Sequence, residues 1–341
     1  MRIAAAAILA VALWACGEPA PQRAGSPADA LPPWISPLLD HGVRPDWSSD
    51  GKRILFLDDL VGEVFEVEVA SRAVRPITKH FAHHGFTRAR YLASGDILLC
   101  GPREPQRGDV ERGRWASELW LLDADLATPA QPLDAPCFEG PAVSRHSGRI
   151  AWTISDYPRR VVFGRSEIWT GELARENGAA RLVNRRKLLD RSDFYYLAFL
   201  ETQDFRPPDE RELLFTAYGW KGGEVMGVDL ETGEIRNYSR NWGYDEAEGV
   251  FPDGTVIAVE REPRNYTLVP TGRIDIWRTA LNGSGRSEQL THFSDFAGYG
   301  ANNPAISPDG RWMAFGLREV GGPHGNGHGI FLLDLRYVRE E

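Results

Sequence analysis

Two histidines, His324 and His328, stand four residues apart in the stretch Gly322-Pro323-His324-Gly325-Asn326-Gly327-His328-Gly329. Imidazole nitrogens bind divalent metals, and a third histidine from another loop, such as His80, would make a workable ligand set. The same residues read equally well as solvated side chains on a flexible hairpin tip. A second pair, Glu246 and Glu248, alternates along one extended stretch, so both carboxylates share a face. No nucleophile-elbow serine with its histidine and acid is visible. The Gly-rich stretch precedes no helix, so it is not a phosphate cradle. Cys100 and Cys137 remain open between a disulfide and two buried thiols. No cofactor beyond a divalent metal is suggested.

These groups must be positioned by repeats. Ser307-Pro308-Asp309-Gly310 is a tight turn in which proline presets φ and glycine takes the positive φ that follows. Apolar runs flank it, which predicts a hairpin. Ser48-Ser49-Asp50-Gly51 and Phe251-Pro252-Asp253-Gly254 repeat it. The pattern weakens at Ala93-Ser94-Gly95, at Ser144-Arg145-His146-Ser147-Gly148, and at Pro207-Pro208-Asp209-Glu210, where glutamate replaces glycine. A second signal sets acid, aliphatic and large apolar residue in series: Glu63-Val64-Phe65, Glu118-Leu119-Trp120, Glu167-Ile168-Trp169, Glu224-Val225-Met226 and Asp275-Ile276-Trp277. Gly329-Ile330-Phe331 is a sixth copy without the acid. Their last members lie 55, 49, 57, 51 and 54 residues apart, a nearly constant period. Acids that recur in almost every copy are expected to satisfy hairpin backbone N–H groups rather than to catalyse.

The turn and its flanking runs resemble the β-propeller repeat of TolB and its relatives over nearly all residues after 34. The resemblance and the period together imply an all-β, six-bladed propeller of four-stranded antiparallel blades. The last blade lacks its outer strand, and residues 34 to 40 are expected to supply it by pairing near Ile330 to Leu335, closing the ring. Register then sorts the faces. The Pro-Asp-Gly turns share one face. The long loops after the second strands (Arg103 to Trp115, Ser155 to Arg165, Arg261 to Arg273, Leu317 to His328) share the other, the top. Arg44, Arg88, Glu139, Gln203, Glu246, Glu248, Asn302 and Asn303 gather at the top mouth of the central channel. Oligogalacturonate lyases, a related propeller family, use a His-rich metal site in such a channel.

The formal charge of −9 over 341 residues argues against nucleic acid. Arg2 precedes the apolar run Ile3 to Trp14, too short to span a membrane but suited to a secretory segment. It ends in Leu13-Trp14-Ala15-Cys16, which resembles a bacterial lipobox. That resemblance implies a signal peptide over 1–15, lipid on Cys16, and a disordered Pro/Ala-rich tether over 16–33. The propeller fills 34–341. Gly17 after the cysteine implies, by resemblance to enteric sorting, the periplasmic side of a Gram-negative outer membrane. The expected role is a monomeric, lipid-anchored binding module that docks an envelope protein, peptide or glycan on the top face. The candidate contacts are His80, His84, Glu139, Gln203, Glu246, Glu248, Asn302, His324 and His328. The alternative is a metal-assisted polysaccharide lyase of the oligogalacturonate type acting in the channel.

Overall fold

A computed structural model describes residues 21–105, 110–156, 164–219, 222–263, 272–321 and 327–338. Cys16, the signal segment and His324 lie outside the described residues. The fold is all-β: four sheets of four strands, and one of eight in which two four-stranded halves meet. That junction is a short parallel contact of Gly222–Gly223 with Gly243–Tyr244. Within each unit the strands are antiparallel neighbours in chain order. The exception is the sheet that contains Tyr299–Ile306, Trp312–Glu319 and Ile330–Asp334, whose fourth strand is Ile35–Leu39. Ile35 stands opposite Leu333 and Pro37 opposite Phe331.

The first strands of the units are Val43–Trp47, Arg88–Tyr91, Phe138–Val143, Phe199–Phe205, Gly243–Val250 and Tyr299–Ile306. Each touches the next, and the last touches the first. Apolar clusters fill the spaces between successive units. One joins Leu98, Leu119 and Leu121 to Ile150 and Trp152, and another joins Trp47, Ile54 and Phe56 to Ala314 and Ile330. Trp47 spans such a boundary, its indole N–H donating to the Ala305 carbonyl at 3.0 Å.

The turns follow from their residues. Ser307 Oγ donates to Asp309 Oδ1 at 2.5 Å and accepts from Trp312 N–H at 2.9 Å, while Gly310 sits at φ 70°. Ser48, Asp50, Gly51 and Arg53 repeat the arrangement, at 2.6 Å, 3.0 Å and φ 67°. Where glutamate replaces glycine, Glu210 itself adopts the left-handed conformation at φ 52°. Its carboxylate then reaches the preceding unit, accepting from Ser144 Oγ and Arg145 N–H, each at 2.6 Å. A broken turn signal is thus a clasp between neighbours.

Of the recurring acids, Asp275 binds hairpin backbone directly and Glu63 does so through a hydroxyl, whereas Glu118 pairs with Arg103 and Glu167 with Lys187 and the Trp169 indole. Asp275 Oδ1 accepts from Phe293 N–H at 2.7 Å and from Thr291 Oγ1 at 2.8 Å, and Thr291 Oγ1 accepts from Ile276 N–H. At Glu63 the hydroxyl of Thr78 stands between acid and backbone, donating to Glu63 at 2.8 Å and accepting from Val64 N–H at 3.0 Å.

One open question is resolved and one expectation changes. Cys100 and Cys137 are bonded, with Cα atoms 6.3 Å apart. The segment expected as a disordered tether up to 33 is docked from its described start. Arg23 N–H donates to Asp295 O at 2.6 Å, Ala297 N–H donates to Arg23 O at 2.9 Å, and Pro27–Ala30 forms a 3-10 turn with Pro27 buried. Backbone pairing outweighs the Pro-rich composition there.

Candidate functional site in the central channel

The first strands carry irregularities that aim side chains inward. Pairing skips between Val43 and Asp46, between Phe138 and Ala142, and between Asn302 and Ala305. Inside those skips Arg44, Glu139 and Asn303 sit at φ 57°, 58° and 47°. Left-handed backbone costs a non-glycine residue about 1 kcal/mol or more, so such outliers mark places where side-chain direction matters. Bulges of this kind re-aim a side chain that the regular pleat would point elsewhere.

The inward groups divide by charge. Arg44, Arg88 and Arg90 come from the first two units, and Arg114 comes from the short helix Val110–Trp115. Glu139 is held among them, 2.6 Å from Arg44 and 3.9 Å from Arg88, with Arg114 also paired to it. Burial pushes the Arg44 guanidinium well below its usual range, with Arg88 and Arg114 adding repulsion. The carboxylates come from other units: Glu201 from Phe199–Phe205, Glu246 and Glu248 from Gly243–Val250, and Glu260 from Val256–Pro263.

These acids crowd one another. One oxygen each of Glu246, Glu248 and Glu260 lies within 4.8 Å of the other two. Tyr244 hydroxyl donates to Glu246, Tyr218 hydroxyl donates to Glu201 at 3.1 Å, and Asn303 N–H donates to Glu260 Oε1 at 2.7 Å. Burial raises the Glu201 carboxyl to about 8, with Glu246 and Glu248 adding to it, and raises Glu260 to about 8, with Glu246 adding. Burial also lifts Glu248 well above the ordinary carboxylate value.

Below this cluster a cavity of about 370 Å³ opens. Its walls include Ser49, Ala93, His146, Pro207, Pro252 and Pro308, which belong to the turns that end the first strands. Its inner end is Arg88, Gln203, Asp204 and Glu248. Arg145 is tied to Asp204 at 2.8 Å and Arg90 to Asp46 at 3.1 Å. Three buried polar atoms of the lining find no hydrogen-bond partner among the described residues: Arg90 Nε at the wall, and Glu248 Oε1 and Gln203 Nε2 at the inner end.

The residues singled out from the sequence therefore part company. Glu246 and Glu248 come together, and Gln203 shares the cavity with Glu248. Glu139 sits in the arginine cluster, and Asn302 lies half-buried opposite Gly316. His80 and His84 are exposed. His80 Nε2 is 3.4 Å from Thr128 O, and His328 Nε2 is 3.3 Å from Glu319. None of the described histidines joins the carboxylate cluster. The cavity also opens on the turn face, not on the top face where the long loops had directed attention. Sequence reasoning missed Glu201, Glu260 and Arg114. Glu260 had a readable signal, since the Pro-Asp-Gly turn folds it back opposite Glu246.

The architecture defines a β-propeller. Among solved structures, oligogalacturonate lyase from Vibrio parahaemolyticus superposes with a TM-score of 0.52 at 10% identity, over 87% of this chain and 78% of the lyase. Regucalcin from Agrobacterium tumefaciens, described as a calcium-binding protein, superposes at 0.51 with 15% identity, over 87% of this chain and 90% of its own. TolB from Acinetobacter baumannii is 16% identical with a TM-score of 0.48, over 84% of this chain, which spans 63% of that TolB. No protein-family model matches the sequence, and no curated protein matches it significantly. The fold shared with the first two structures is the propeller, and the TolB-like repeat read from the turns agrees with it.

Proposed function

We propose that this chain is a non-catalytic, six-bladed propeller of the bacterial envelope, closed by Ile35–Leu39 and anchored by lipid on Cys16, that binds a polar peptide or glycan in its central channel. The ring reading is supported by the cyclic contacts of the first strands and by the pairing of Ile35–Leu39 with Ile330–Asp334. The observation that carries the binding reading is the cavity on the turn face, whose inner end holds two buried polar atoms without partners. A folded chain rarely leaves such groups unmade, and a ligand that completes them recovers the desolvation cost.

The anchor favours the same face. Gln22 and Arg23 are held against Ser294–Ala297, at the end of the channel opposite the turns. Six residues from Cys16 to Gln22 span at most about 21 Å. A lipidated Cys16 would hold the top toward the membrane and leave the cavity facing the periplasm. No helix among the described residues is long and apolar enough to cross a membrane.

A photo-crosslinking amino acid at Ser49 or Ala93, both exposed at the cavity rim, tests the reading in cells. Crosslinks to an envelope component from these positions, competed by excess unlabelled protein, are expected. Crosslinks only from Glu319 on the top face would overturn the choice of face. Release of unsaturated products from polygalacturonate would overturn the non-catalytic reading in favour of the lyase.

A further inference from the structure

We propose that Glu246, Glu248 and Glu260 form a binding site for one divalent cation of oxygen preference, Ca²⁺ first and Mn²⁺ second. The three contributing oxygens lie within 4.8 Å of each other. Two oxygens bound to one calcium at about 2.4 Å can be at most about 4.8 Å apart, so the spacing already suits that ion.

The ligand atoms are oriented as metal ligands usually are, by partners behind them. Tyr244 fixes one oxygen of Glu246, and the Asn303 N–H and side-chain amide both hold Oε1 of Glu260, at 2.7 and 3.3 Å. Glu248 is different. It is only 8% exposed, and its Oε1 has no hydrogen-bond partner. Packing three ionised carboxylates together without a cation between them is unfavourable, and several of the nearby guanidinium groups have other partners. Arg44 and Arg114 pair with Glu139, and Arg90 pairs with Asp46. Arg88, which acts on Glu248 and Glu260, and Arg318, which acts on Glu260, oppose a metal and limit its affinity.

Access comes from below, since Glu248 belongs both to this cluster and to the lining of the cavity. The histidines of the sequence reading have no part in the site. The inference shares the channel with the binding role but needs no ligand in the cavity. An ion here would place positive charge at the cavity's inner end.

The test uses the full chain, stripped with EDTA and titrated with Ca²⁺, Mn²⁺ or Mg²⁺ alone. Calorimetric binding near one ion per chain and a rise in melting temperature are expected with Ca²⁺. Glu248→Gln, which keeps the shape and removes the charge, should weaken binding at least about tenfold. Glu319→Gln, an exposed acid far along the loop, should bind as the wild type does. Terbium provides a second reading, because Tyr244 and Tyr218 lie beside the carboxylates and can sensitise its luminescence. That signal should fall in Glu248→Gln even if the variant is less stable. A folded wild type with neither heat nor luminescence at millimolar ion would overturn the site, as would an undiminished response in Glu248→Gln. Crosslinking at Ser49 repeated in EDTA reports on the binding reading separately.

Discussion

Glu246 and Glu260 stand directly opposite one another across the Gly243–Val250 and Val256–Pro263 strands. Like charges in that position repel, and burial together with this repulsion holds the Glu260 carboxyl up at about 8. In EDTA at about pH 9, where Glu260 is ionised, Glu260→Gln is expected to raise stability by about 1 kcal/mol, since the amide oxygen still accepts from Asn303. Urea denaturation checks it. With Ca²⁺ present the order should reverse, because the wild type alone gains from the ion.

Asp275 gives a pH dependence remote from the channel. Burial raises its folded-state carboxyl to about 6, above the ordinary 3.8. Between those values the unfolded chain is ionised while the folded chain holds its proton. Stability from this group therefore falls as pH rises from about 4 to about 6 and is level above. Asp275→Asn should flatten that portion of the melting-temperature curve. An unchanged slope would show that other groups set it.

Gly254 sits at φ 68°, and a Cβ there would lie 1.9 Å from the Pro207 carbonyl oxygen. Gly233, at φ 74°, would meet nothing within 4 Å. Gly233→Ala should cost about 1 kcal/mol of backbone strain. Gly254→Ala should cost at least about 2 kcal/mol more, because the neighbouring turn must also move. Chemical denaturation of the two variants side by side measures the difference.

The Cys100–Cys137 bond closes a loop of 37 residues. Chain entropy places its contribution at about 3–4 kcal/mol. Reduction, or Cys100→Ala with Cys137→Ala, should lower the melting temperature without abolishing the sheet signal in circular dichroism.

Removing residues 34 to 42 deletes a strand whose Ile35 and Leu38 are buried. Several ladder bonds at about 1 kcal/mol each and the apolar burial are lost together. The truncated chain should melt well below the parent, or associate through the exposed Ile330–Asp334 edge in size-exclusion chromatography. Cys16→Ser should move the protein from the membrane fraction to the soluble periplasm, and retention after a high-salt wash would count against lipid as the anchor.

Repetition made much of the fold legible. Ser307-Pro308-Asp309-Gly310 and Ser48-Ser49-Asp50-Gly51 close through bonds between residues two to five apart, so local chemistry sufficed to place hairpins and their period. Alternation likewise put Glu246 and Glu248 on one face. What the sequence alone could not settle depends on register between distant segments. Arg44 and Glu139 are 95 residues apart and meet because two left-handed bulges turn both inward. Arg23 docks on Asp295 through backbone atoms, which carry no trace in side-chain identity. The histidines drew attention because their chemistry is conspicuous, yet His80 and His84 lie on the outside of the fold. The carboxylate cluster, and the turn face as the open end of the cavity, follow only from the packing of the units' first strands against one another, which brings together groups that no local pattern links.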